Sequence, residues 1–208
     1  FQSPFLMHAD TEDFSAYQYS ITGCGFLFDN EDDCSRKIEA LLTISKDYNF
    51  DEIILVTSLN GYTTDGYRKL PVSHQQWVSY KNTLKSLSKS TQNLFIFAPR
   101  YFIASSNPIK NIVYSEEYRN RIVKVGKEDF VRSFYENLSS QIKNIHLYEQ
   151  AEFLKRLGGG VDFTGKSEFG YPLYRDSNHL TKYGSKETYE NFLDFRSEFL
   201  LEKDDASE

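Results

Sequence analysis

The chain predicts an α/β fold built on a mainly parallel sheet, and three features of its 208 residues say so. Short apolar runs recur along the chain. Segments of helical length lie between them. The runs are apolar at nearly every position, as in Ile53-Ile54-Leu55-Val56, rather than alternating with polar residues. Continuous apolar strands suit a sheet covered on both faces, and strand–helix alternation suits parallel βαβ units.

The elements follow in order. Phe14–Ile21 reads as a strand, and Ser35–Lys46 as a helix with Ile38, Leu41, Leu42 and Ser45 on one side. A strand at Ile53–Ser58, a helix at Gln75–Ser88, a strand at Leu94–Ala98, a helix at Glu128–Ile142 and a strand at Ile145–Tyr148 come next. A last helix follows Thr181, a plausible N-cap, with Tyr189, Phe192, Leu193, Phe195 and Phe199 as its apolar face. The length fits one domain, residues 1–208, rather than two. In such sheets functional residues gather beyond the carboxyl ends of strands. The loops Thr57–Tyr67, Pro99–Lys127 and Ala151–Lys182 are therefore the places to look. Gly158-Gly159-Gly160 reads as a flexible connector, because no Lys-Ser/Thr and no helix start follows it.

Composition narrows the partners. The net charge is −6 with Lys and Arg scattered, so no basic stripe invites nucleic acid. No apolar run approaches the ~18–20 residues that span a bilayer. The acidic end, Glu202 to Glu208, reads as solvated. Aromatic residues make up 16 %, enough for a Phe-rich core with Tyr at its margins and some Tyr left to line a groove for a ring-shaped ligand. Cys24 and Cys34 are either free thiols or a disulfide closing a short acidic loop. A metal pair would need two further ligands, and no His stands at ligand spacing.

The chemistry concentrates in Tyr174-Arg175-Asp176-Ser177-Asn178-His179-Leu180-Thr181-Lys182-Tyr183-Gly184. A carboxylate three residues before an imidazole can lie on the same side of one turn. Asp176 would then fix the tautomer of His179 and leave its other nitrogen as a base toward a hydroxyl nucleophile. Leu180 would anchor the turn, and Gly184 would let the last helix pack closely. A bare D-x-x-H is equally a surface pair capping a helix. His8, His74 and His146 lack comparable context, and His146, among apolar strand neighbours, reads as structural.

The fuller pattern D-x-x-H-L-[ST]-x-x-G, late in an α/β chain, resembles the final sequence block of the SGNH/GDSL hydrolase superfamily. Taken with Phe14–Gly25, Cys34 and the strands at Ile53–Ser58 and Leu94–Pro99, the chain resembles the SGNH domain fused behind acyltransferase-3 membrane domains in bacteria. The resemblance implies a flavodoxin-like three-layer α/β/α sandwich. It implies Asp176 and His179 as the catalytic acid–base pair, with no cofactor and no metal. It also implies an O-acetyltransferase that passes an acetyl group from a donor or acetylated carrier, through a serine, to a hydroxyl of a surface glycan such as lipopolysaccharide O-antigen. The domain would face the periplasm from an inner-membrane protein, which favours a Cys24–Cys34 disulfide.

The family's Gly-Asp-Ser nucleophile block does not occur here. By analogy it is expected about ten residues before Phe1, one helix of ordinary length ahead of the Phe14 strand. The sheet's first strand is expected there too. Ser3, followed by Pro4, is a poor substitute. Asn60, after the Ile53–Ser58 strand, stands where an oxyanion donor belongs, although Asn60-Gly61 also suits a plain turn. Arg100, directly after the Leu94 strand, is a candidate for binding the acceptor. Two other outcomes fit the same fold: a secreted carbohydrate esterase with water as acceptor, and a glycan-binding relative with no nucleophile.

Overall fold

The computed structural model describes residues 15, 17, 19, 33–56, 74–97, 128–159, 165–175 and 179–204. In chain order these form α1 (Asp33–Tyr48), β1 (Phe50–Val56), α2 (His74–Lys89), β2 (Thr91–Phe97), α3 (Glu128–Gln141), β3 (Ile145–Tyr148), α4 (Gln150–Leu157) and α5 (Lys182–Asp204). They fall into two compact units, one carrying α1 to β3 and the other α4 to α5.

In the sheet unit the three strands are parallel and stand in sequence order, β1-β2-β3. Both crossovers step the same way. Right-handed connections therefore put α2 and α3 on one face. The rings agree, since Trp77 of α2 lies 5.0 Å from Phe134 of α3. Leu94 and Ile96 of β2 join Leu84, Leu87 and Leu138 in the core on that face. Strand side chains alternate, so Phe95 and Phe97 point to the opposite face. Both are buried there, Phe95 on the His146 ring and Phe97 on the Tyr148 ring. Every residue of β2 except Gln92 is buried. Burial on both faces is what an α/β/α sandwich requires, and three parallel strands in sequence order match the closing run of a flavodoxin-like sheet.

Local chemistry sets the element ends. α1 stops at Asn49, which takes a left-handed φ of 48° and returns its N–H to the Ser45 carbonyl at 3.1 Å. Asn tolerates that conformation better than most residues, so the chain reverses directly into β1. At the head of β2, the Asn144 amide donates to the Ser88 and Thr91 carbonyls at 2.7 and 3.0 Å. This ties the end of α2 and the start of β2 to the turn before β3. Between α2 and α3 the hydroxyls of Tyr80 and Tyr135 meet at 2.7 Å in the core, so both buried polar atoms are satisfied.

The expected strands at Ile53, Leu94 and Ile145 and all four expected helices are present; the Ile145–Tyr148 strand and the start of the last helix fall where expected, and the other boundaries shift by a few residues at most. Of the expected Phe14–Ile21 strand, only Ser15, Tyr17 and Tyr19 are described. None of the three is in a strand, and both tyrosines are exposed. The Ala151–Lys182 loop requires correction, because α4 opens it. Gly158 and Gly159 end that helix rather than merely linking it. Their N–H groups return to the Leu154, Lys155 and Arg156 carbonyls at 3.0–3.2 Å, and Gly159 has a φ of 98°. A Cβ at Gly158 would press on the Lys166 carbonyl, so the close approach there also needs glycine.

Candidate active site

The second unit holds the His179 region, and its geometry is built from two small hairpins between α4 and α5. The first closes with a bridge between Lys166 and Pro172. The Ser167 N–H donates to the Tyr171 carbonyl at 2.8 Å, and the Gly170 N–H to the Ser167 carbonyl at 2.9 Å. Gly170 has a φ of 83°, which makes this a three-residue hairpin loop ending in a glycine bulge. The Ser167 hydroxyl accepts the Tyr171 N–H at 3.1 Å, and the Glu168 N–H donates to the last carbonyl of α4, Leu157, at 2.8 Å.

The second hairpin carries His179. Tyr174 bridges Leu180, and the Arg175 N–H donates to the His179 carbonyl at 2.7 Å. The Thr181 N–H then donates to the Leu173 carbonyl at 2.9 Å. The segment 171–175 is therefore the middle strand of a small antiparallel meander, with one hairpin at each end.

Thr181 joins this meander to α5. Its hydroxyl donates to the Pro172 carbonyl at 2.7 Å and accepts the Gly184 N–H at 3.0 Å. That is an N-cap as expected, with the cap residue also bonded to the strand beside it. Gly184 permits the contact: a Cβ there would collide with the Leu173 backbone carbonyl. Leu154, Leu173 and Tyr174 form a small core, with Leu180 and Tyr183 packed against it. Leu180 anchors the turn, while its neighbour His179 is exposed. His179 stands two residues before the cap, in the hairpin return.

Asp176 lies outside the described residues, as do Asn60, Arg100, Cys24, Ser3 and His8. Cys34 sits in the first turn of α1. The His146 Nε2 meets the Asn93 side-chain oxygen at 3.2 Å within the sheet, a placement that gives the ring a packing role. Arg132 on α3 and Glu149 after β3 form a half-buried ion pair at 3.0 Å, which nothing in the residue pattern had pointed to. Among the described residues no group of three or more His, Cys, Asp or Glu could hold a metal, and no helix is long and apolar enough to cross a membrane.

The capped hairpin and its glycine account for the spacing of the last sequence block, H-L-T-x-x-G, position by position. A family model described as "SGNH domain (fused to AT3 domains)" matches residues 1–193. The chain belongs to this SGNH family. It is thus a hydrolase-fold domain of the esterase and acyltransferase kind, and its AT3 association makes a membrane domain its partner in a membrane protein. No curated protein and no solved structure matches the chain.

Proposed function

We propose that this SGNH domain moves an acetyl group, through a serine, to a hydroxyl of a bacterial surface glycan, with His179 and Asp176 as its acid–base pair. The observation that carries the reading is the fixed backbone at His179. It is held by the Arg175 bond at 2.7 Å on one side and by the bridged Leu180 and capped Thr181 on the other, while the residue itself stays exposed. A general base must be positioned before it is tuned, and this return is positioned by four backbone and cap hydrogen bonds.

In the proposed cycle, His179 takes the proton of the serine hydroxyl as it attacks the acetyl carbonyl. The imidazolium, balanced by Asp176, returns that proton to the departing donor group. His179 then deprotonates the glycan hydroxyl, which attacks the acetyl-serine; as the serine ester bond breaks, His179 passes that proton to the leaving serine oxygen and the enzyme is restored. Backbone N–H groups hold the tetrahedral oxyanion, with Asn60 as the candidate side-chain donor, typically worth ~3–4 kcal/mol per well-placed group. Arg100 is the candidate for acceptor binding. The serine itself is taken to lie N-terminal to Phe1, because the 208 residues contain no Gly-Asp-Ser. Residues 1–208 act in this reading as one domain, on the periplasmic side of the inner membrane, with the acetyl donor delivered through the AT3 partner. A Cys24–Cys34 disulfide, the pairing that the family resemblance implies, belongs with that oxidising compartment.

The test is the partition of labelled acetyl groups in full-length protein. With donor and surface polysaccharide present, the label should accumulate as an ester on the polysaccharide. Release of the label as free acetate alone would make the protein an esterase, and no consumption of donor would make the domain a binding module.

A further inference from the structure

The hairpin beside the His179 return carries aromatic rings that the unit leaves in water. Phe169 is 75 % exposed and Tyr171 56 % exposed. Tyr171 lies against Tyr183 of the first turn of α5, with ring centroids 5.1 Å apart and planes tilted by 43°. Large rings are normally withdrawn from water, and a cluster left out in solvent marks an interaction surface.

The platform is preorganised. The glycine bulge at Gly170, the Ser167 hydroxyl on the Tyr171 N–H and the Glu168 N–H on the Leu157 carbonyl fix the loop without using either exposed ring. The rings are aromatic rather than aliphatic, and exposed Glu168, Arg175 and Lys182 surround them in the chain. Aromatic faces with hydrogen-bonding groups at their margin suit a pyranose. Its C–H face packs on the electron-rich ring while its hydroxyls meet the charged side chains. Two rings on a short hairpin, with the half-buried Tyr183 of α5 beside them, are also too small for a stable protein interface, which needs about 800 Å² on each partner.

We infer that Phe169, Tyr171 and Tyr183 form a sugar-stacking subsite for the glycan acceptor. The inference rests on the transferase reading for its ligand class. The meander sets its distance from the chemistry. Positions 171 and 175 share one extended segment, about 13 Å at the usual strand rise, and Arg175 is bonded to His179. The stacked sugar is therefore not the one acetylated but a neighbour along the same chain. The acceptor is an oligosaccharide or polysaccharide, and a monosaccharide falls short of one site or the other.

The experiment is a calorimetric titration of full-length protein, in detergent, with delipidated surface polysaccharide from its own bacterium and with the monosaccharides of that polysaccharide. Wild type should bind the polysaccharide and bind the monosaccharides far more weakly. Tyr171→Ala should raise the polysaccharide Kd about 10-fold, and Tyr171→Phe, which keeps the ring, should restore it to within about 2-fold. Weaker binding by Tyr171→Ala in a protein that transfers no acetyl group would uphold the subsite while the transferase reading fell. Acetyl transfer with the same Kd and acceptor KM in wild type and Tyr171→Ala would do the reverse. Equal affinity for monosaccharide and polysaccharide, or Tyr171→Ala reducing only cosedimentation with phosphatidylglycerol vesicles, would also overturn the subsite.

Discussion

The sheet unit and the hairpin unit keep their shapes by different means. In the first, β2 buries Leu94, Phe95, Ile96 and Phe97 in succession, and apolar side chains from three helices and two flanking strands close around it. Shape there comes from area removed from water, which is non-directional and tolerant of which apolar residue supplies it. In the second, the core is small and the paths of 165–175 and 179–181 are set by single bridges, a hydroxyl used twice and glycines at two close approaches. Directional contacts of that kind fix a side chain's position closely and fail one at a time. The lesson is a division of labour: bulk burial supplies stability, and a few specific contacts supply the geometry at His179.

The sharpest way to break this comparison is to weaken each unit in turn. Phe95→Ala should cost about 3–5 kcal/mol in urea denaturation, the range for emptying a buried aromatic site. Its transfer rate per folded molecule should stay near wild type. If the rate per folded molecule collapses, the two units do not divide the work.

Gly184→Ala is the counterpart in the hairpin unit. The new methyl must displace the Leu173 carbonyl, at about 1–3 kcal/mol for an overpacked contact. The transfer rate per folded molecule should fall well beyond the stability loss, because Leu173 and Thr181 are bonded and Thr181 leads to His179. A stable variant with normal turnover would contradict the role given to that close approach.

Smaller effects sharpen the picture. Thr181→Ala should cost about 1–2 kcal/mol, the range for a lost N-cap, and Thr181→Ser should recover most of it because the hydroxyl serves both Pro172 and Gly184. Tyr80→Phe leaves one buried hydroxyl facing an apolar ring and should cost about 1–2 kcal/mol; adding Tyr135→Phe should then cost little more. At the low end, Lys186→Ala should leave the thermal midpoint unchanged. The hydrogen bond to Glu190 raises the Lys186 pKa, so the pair's contribution is present at neutral pH and lost only as pH rises through that raised value. Both side chains stand in water, where such pairs contribute little.

The same division explains what the residues alone reveal. Leu94–Phe97 announces its strand because burial on two faces demands an unbroken apolar run; Ile53–Val56 shows the same run although of its four residues only Leu55 is buried and Val56 is exposed. Ser35–Lys46 shows its helix through Ile38 and its neighbours, spaced for one face. Helix α4 is too short for that periodicity to emerge: its eight residues bury Gln150, Ala151 and Leu154, of which one is polar and one small. The meander leaves still less trace. Its bridges are single pairs, Lys166 with Pro172 and Tyr174 with Leu180, and neither has a pattern to repeat. Thr181 and Gly184 were legible because a cap and a close approach each demand particular residue types. The exposed Phe169 and Tyr171 were not, since an aromatic residue in a sequence looks the same whether it is destined for core or for solvent. Asp176, Asn60 and Arg100 lie outside the described residues, and their roles rest on chain position and on the resemblance.

The central claim is that the imidazole held in the capped return does the proton transfer. The most direct test measures acetyl transfer to polysaccharide by full-length wild-type and His179→Ala proteins, alongside their urea midpoints. A loss of at least about 10³-fold in kcat/KM with an unchanged midpoint is the predicted result. Transfer by His179→Ala within about 2-fold of wild type would contradict the account.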